Sequence, residues 1–122
     1  MEARRVVQGD VFWVDVGAPD DSSPGYLRPY VVVQNNVFNK SGIRTVVTCA
    51  LTTNLRRAKD PGNVLLVPGE GNLPEQSVVN VSQILSVDKR RLGNRIGVLS
   101  GERVREVVSA IGLLLEPRDT RG

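Results

Sequence analysis

Arg28 stands at the mouth of an apolar, β-branched run, with Pro29 and then Tyr30-Val31-Val32-Val33 directly behind it. A second apolar run, containing Val46, Val47, Cys49, Ala50 and Leu51, ends in Thr52-Thr53-Asn54. If the two runs pair as antiparallel strands, Arg28 and Thr52 converge on one rim of a sheet. A fixed guanidinium beside a hydroxyl suits a substrate whose reacting centre is a phosphate, because the forked N–H donors match phosphate oxygens. Arg56, Arg57 and Lys59 trail the second run. One strand end can therefore present hydroxyls to a scissile phosphate and cations to its neighbours. Lys89, Arg90, Arg91 and Arg95 form a second basic cluster. Either cluster alone reads as solvated loop charge; together with Arg28 they point to a nucleic-acid-facing surface. Trp13, Tyr26 and Tyr30 carry faces on which bases stack, although packing is the better reading for Trp13 and Tyr30. Cys49 reads as a small buried hydrophobe.

Absent residue types narrow the chemistry further. The 122 residues include no histidine and one cysteine. That leaves no zinc site built from His and Cys, and no serine–histidine or cysteine–histidine nucleophile pair. Neither GxGxxG nor the P-loop pattern occurs, so nothing argues for a dinucleotide or P-loop site. Catalysis must draw on Arg, Lys, Asp, Glu, Ser, Thr, Tyr or the backbone, and no cofactor is expected. The net charge of +3 and pI of about 9.5 are only mildly basic. No apolar run reaches the roughly 18–20 residues of a membrane span, and Met1–Arg5 does not read as a signal peptide. A lone cysteine fits a reducing cytoplasm, so a cytoplasmic location with no membrane partner is expected.

The elements that must hold these residues follow from periodicity. Asp10–Val16 reads as a strand with Phe12, Val14 and Val16 on one face and Val11 and Trp13 on the other. Gly17–Gly25 is a loop longer than a typical hairpin connection, and such loops often carry function. Arg28–Gln34, Arg44–Leu51, Asn63–Val67 and Gln76–Ser82 are further strands; Gln83–Val87 extends the last, and Asn94–Leu99 closes the series. Asn35–Gly42 is a turn or short helical piece, and Lys89–Leu92 a single helical turn. One convincing helix follows, with Ser100 as N-cap and Val104, Val107, Val108, Ile111, Leu114 and Leu115 on one stripe before Pro117. Short strands and a terminal helix without βαβ alternation predict one mainly β domain over 1–122, a small, strongly bent antiparallel sheet or barrel with the helix packed on it. The barrel occupies about 8–116, and the tails fray.

Four blocks in register resemble a known family. Gly9-Asp10-Val11-Phe12-Trp13-Val14-Asp15, then Arg28 through Asn35, Leu51-Thr52-Thr53-Asn54, and Gln76 through Ile84 followed by Val87 through Leu92 are similar to the MazF/PemK (Kid) toxins of toxin–antitoxin modules. The resemblance spans roughly Gly9 to Leu115. It implies an SH3-like barrel (the CcdB/MazF/PemK type) acting as a homodimer. It also implies an mRNA interferase: a ribosome-independent, metal-independent endoribonuclease that cuts single-stranded RNA at short sequences. In that chemistry the 2′-OH attacks the adjacent phosphate to leave a 2′,3′-cyclic phosphate and a 5′-OH. The implied second partner is a cognate antitoxin whose disordered, often acidic segment fills the RNA groove.

Arg28 and Thr52 match the family's catalytic arginine and threonine. A guanidinium is too weak an acid to move the proton itself, so electrostatic stabilisation of the phosphorane is its expected role. Ser22, Ser23, Tyr26, Asn54, Arg56 and Gln83 are expected RNA contacts, joined by Arg57 and Lys59. Two features depart from the family. Ser23 stands where a glutamate is usual, and Asn80 and Ser82 replace an arginine and an aspartate that some relatives use catalytically. Two rivals remain: a CcdB-like gyrase poison acting through Leu114–Arg118, and an RNA-binding barrel that has lost catalysis.

Overall fold

The computed structural model of the chain describes residues 5–17, 27–119 and 121. Strands form where β-branched residues recur: β1 Asp10–Asp15, β2 Leu27–Val32, β3 Thr45–Thr52, β4 Val64–Leu66, β5 Ser77–Asp88 and β6 Leu92–Val98. They pair antiparallel in one six-stranded sheet ordered β4-β5-β3-β2-β1-β6. Among the described residues two α-helices complete the fold, α1 Asn36–Asn39 and α2 Gly101–Leu115. The expected short piece after β2 is α1, started by Asn35, whose Oδ1 accepts the Val37 and Phe38 N–H groups at 3.0 and 3.3 Å. Ser100 caps α2 as the sequence predicts, its Oγ accepting from the Arg103 N–H at 3.2 Å.

The sheet stops short of a closed barrel: β4 and β6 are its edges. A 3-10 turn, Glu70–Asn72, lies against the β6 edge. There Asn72 Nδ2 donates to the Ile96 carbonyl at 2.9 Å. Gly97 packs against the same turn so closely that a Cβ on it would lie 2.6 Å from the Asn72 Cβ and nearer still to the Gly71 carbonyl. Glu70 then fastens the turn to α2 through a two-pronged ion pair, with Arg103 Nε to Oε1 at 2.8 Å and the terminal nitrogen to Oε2 at 3.0 Å.

Alternation along the strands buries both faces of the central sheet. Val11, Val31, Cys49, Leu51 and Val79 share one apolar cluster with Val107 and Ala110 of α2. Phe12, Val14, Tyr30, Val32 and Ala50 share a second with Val6, Val87 and Leu92. The helix stripe is only partly used. Val107 and Ala110 are buried, but Val108, Leu114 and Leu115 are 40%, 48% and 67% exposed. The reason is geometric: α2 packs on β4 and β5, and its last turns run past them.

One irregularity shapes the middle of the sheet. Between the pairs Cys49↔Ile84 and Ala50↔Asn80, Val81, Ser82 and Gln83 are left out of the β3–β5 ladder as a bulge. The Asn63 side chain holds it, accepting the Val81 N–H at 2.9 Å and donating to the Arg57 carbonyl at 2.8 Å. Among the described residues no helix is long and apolar enough to cross a membrane.

Candidate active site

β2 and β3 pair at Val32↔Thr48, Val31↔Cys49 and Tyr30↔Ala50, and there the ladder ends. Continuing that register by two residues sets Arg28 across from Thr52, on the sheet face of Tyr30 and Ala50. Pro29, which has no N–H to offer a ladder, occupies the step between. Both residues line one cleft of about 280 Å³. Trp13, Leu27, Pro29, Leu51, Leu73 and Ile96 contribute its apolar lining, and Arg28, Thr52, Thr53, Glu75 and Ser77 its polar lining. A mostly apolar wall with a few convergent polar groups is the usual make-up of a ligand site.

The local hydrogen bonds prepare Thr52. Its Oγ1 accepts the Asn54 N–H at 3.1 Å, which occupies a lone pair and leaves the hydroxyl hydrogen available to donate. Ser77 Oγ donates to the Glu75 carbonyl at 3.0 Å and is buried, so it shapes the wall while its proton is already committed. Glu75 is the one carboxylate among the described lining residues. Trp13, expected to pack in the core or at an interface, is 39% exposed and forms part of the cleft wall. Tyr30 is buried as expected. Cys49 is fully buried, and desolvation pushes its thiol up to about 11, so it is inert near neutrality.

The remaining candidates scatter around this centre. Ser22, Ser23 and Tyr26 lie outside the described residues. Asn54 caps a 3-10 turn, Leu55–Lys59, with its Oδ1 accepting from the Arg56 N–H at 3.2 Å. Arg56, Arg57 and Lys59 ride that exposed turn beside the cleft without lining it. Arg57 is paired with Asp60 at 3.1 Å. Gln83 is exposed on the β5 bulge, away from the cleft lining. Asn80 is buried, and its Oδ1 accepts from Ser82 Oγ at 3.0 Å. Those two departing positions therefore build the bulge.

The second basic cluster is engaged locally rather than spread over one open face. Arg90 clamps Asp88 with contacts of 3.1 and 3.0 Å, which hold that carboxyl down to about 2. Arg91 donates to the Asp15 carbonyl at 2.5 Å, and Arg95 lies 3.7 Å from the buried Asp10 carboxylate. Lys89 is itself buried. Sequence reasoning missed Glu75 and Ser77, because Pro74-Glu75-Gln76 reads only as a connection into β5. Their place in the cleft comes from long-range folding.

Residues 7–115 match the family model described as PemK-like, MazF-like toxin of type II toxin–antitoxin system. The chain is 33% identical over 111 residues to Endoribonuclease MazF6 of Mycobacterium tuberculosis, covering 91% of this chain and 97% of that protein. It is 34% identical over 108 residues to Endoribonuclease MazF of Staphylococcus saprophyticus, covering 88% and 89%. Among solved structures, an endoribonuclease in complex with its cognate antitoxin from a mycobacterial species superposes with a TM-score of 0.73 at 25% identity, covering 93% of this chain and 99% of that one.

Proposed function

We propose, for a chain that belongs to the PemK-like, MazF-like toxins of type II toxin–antitoxin systems, that this toxin endoribonuclease cuts single-stranded RNA in the cleft at the β2–β3 strand ends. The reading rests on one observation above all: Arg28 and Thr52, from neighbouring strands, line the same cavity of about 280 Å³. The substrate's 2′-oxygen attacks the adjacent phosphorus, the bond from phosphorus to O5′ breaks, and the products carry a 2′,3′-cyclic phosphate and a 5′-OH. Negative charge grows on the phosphorane oxygens during attack. The Arg28 guanidinium meets it with forked donors and the Thr52 hydroxyl adds one more.

The leaving and arriving protons need a carrier. With no histidine in the sequence, the Glu75 carboxylate is the lining group suited to accept the 2′-OH proton, and water returns a proton to O5′. Trp13 offers an indole face for a flanking base. The exposed Arg56 and Lys59 attract phosphates on either side. Ser22, Ser23, Tyr26, Arg57, Asn54 and Gln83 remain proposed RNA contacts. The protein acts in the cytoplasm as a single domain paired with a second copy, and an antitoxin with an acidic disordered segment silences it, as the antitoxin complex of its mycobacterial structural relative supports.

The test is cleavage of a long single-stranded transcript in EDTA, with the new ends analysed chemically and mapped. Cyclic phosphate and 5′-hydroxyl ends at recurring short sequences are expected. Intact RNA together with topoisomerase trapped on DNA would overturn the reading in favour of a gyrase poison.

A further inference from the structure

A second cavity, of about 450 Å³, lies far from the cleft and is lined by three cations, Arg5, Lys40 and Lys89. Lys89 follows β5, and its N–H donates to the Arg44 carbonyl at 2.9 Å, beside the Thr45 end of β3. Thr52 lies at the other end of that strand, roughly 20 Å away along extended backbone. No carboxylate lines the cavity among the described residues. The nearby acids are already occupied. Asp10 accepts the Val7 N–H at 3.0 Å and faces Arg95 at 3.7 Å in an adjoining cavity that Arg5 also lines, and Asp88 is clamped by Arg90 at 3.0 Å.

The neutral polar groups of the wall are likewise engaged with one another. Asn36 Oδ1 accepts the Gln8 N–H at 2.8 Å and an Asn39 Nδ2 hydrogen at 3.1 Å, while Ser41 Oγ donates to the Phe38 carbonyl at 2.6 Å. Asn39 Nδ2 also donates to the Gln34 carbonyl at 2.8 Å. Among the described residues, the unspent donors of the wall are those of the cations and the Asn36 amide nitrogen. Lys89 is only 9% exposed, and its ammonium gives one hydrogen bond, to the Asn39 carbonyl at 3.2 Å. A buried ammonium with two unspent hydrogens and no counter-charge among the described residues is costly unless an anion completes it.

We infer that the Arg5–Lys40–Lys89 cavity binds a phosphate group. Three cations arriving from three separate segments suit a tetrahedral anion with several oxygens better than a planar carboxylate. The volume admits a phosphate with its attached sugar. The group belongs either to RNA backbone far from the scissile bond or to a free phosphorylated small molecule. This site stands independently of the cleavage chemistry.

The test is a titration of the full-length, ¹⁵N-labelled chain with inorganic pyrophosphate at constant ionic strength, followed by amide shifts. Saturable shifts at Arg5, Lys40, Ser41 and Lys89 are expected, and Arg5→Ala and Lys40→Ala, both at exposed positions, each weaken binding roughly five- to tenfold. Lys89→Arg keeps the charge should Lys89→Ala fail to fold. Shifts that stay linear with pyrophosphate, or affinity unchanged in both exposed variants, would overturn the site. A fully 2′-O-methylated RNA separates the two sources. Weaker RNA binding and a salt slope reduced by about 1 in each variant identify backbone phosphate. Unchanged RNA binding alongside lost pyrophosphate binding identifies the free ligand. RNA cleavage by Arg5→Ala is measured separately, so failure of the anion site and failure of the nuclease reading give different results.

Discussion

Arg28 and Thr52 are the next same-face pair along β2 and β3 after Tyr30 and Ala50, one step past the point where the ladder stops. The last β2–β3 rung is anchored in an apolar cluster, and beyond it Arg28 stays paired with Val14 of β1 and Thr52 with Val78 of β5, so both side chains extend a rigid frame. Arg28→Ala is expected to lower RNA cleavage by about 10²- to 10³-fold with circular dichroism unchanged. Thr52→Val, which keeps the shape and removes the hydroxyl, should cost about tenfold. Undiminished cutting by Arg28→Ala in a gel assay would remove the arginine from the mechanism.

Glu75 gives a second, separable prediction. As the proposed proton acceptor it supplies a carboxylate oxygen that an amide of the same shape cannot replace as a base. Glu75→Gln should therefore lower the cleavage rate by roughly 10²-fold while RNA binding is unchanged. An undiminished rate in the glutamine variant assigns the proton to another group.

Asn63 tests how the β5 bulge is held. Asn63→Ala leaves the Val81 N–H without the acceptor now 2.9 Å away, at a cost of about 1–3 kcal/mol. Urea denaturation should show a lower midpoint with an unchanged slope.

The ion pair between Glu70 and Arg103 predicts a pH dependence. The Arg103 hydrogen bond, with the Val67 N–H and the guanidinium charge, holds the Glu70 carboxyl below its ordinary value of 4.5. The stabilisation is therefore complete above pH 4.5 and is lost as pH falls through the lower folded-state value. Glu70→Gln should cost on the order of 1 kcal/mol at neutral pH, or roughly 4 °C in Tm. The gap between variant and wild type should close on acidification, which calorimetry at pH 7 and pH 3 would reveal.

Much of this was readable from local pattern. The strands follow Val- and Thr-rich runs, α2 starts at the predicted Ser100 cap, and the antiparallel reading of two apolar runs brought Arg28 and Thr52 to one rim. Other features depend on partners distant in the chain and have no local signature. Lys89-Arg90-Arg91 reads as three solvated charges, yet Lys89 is buried against α1, with the backbone carbonyl of Asn39, fifty positions away, accepting a hydrogen bond from its ammonium. The β5 bulge depends on Asn63, eighteen positions before Val81. The helix stripe over-assigned Leu114 and Leu115 because periodicity marks a face without marking how far the neighbouring sheet extends beneath it. Glu75 joined the cleft only because the turn at Glu70–Asn72 folds against β6.

That same turn has a mechanical consequence. The two free edges of the sheet are fastened there by a clasp, not by shared strand hydrogen bonds, and the clasp is adjacent to Leu73 and Glu75 and held against Ile96, all three of which line the cleft. Loosening it should change the width of that cleft before any strand unzips. Gly97 is the catch: a methyl group there collides with the backbone of Gly71, so Gly97→Ala should spring the molecule at its seam, with amide hydrogens of β6 exchanging early while those of β3 stay protected.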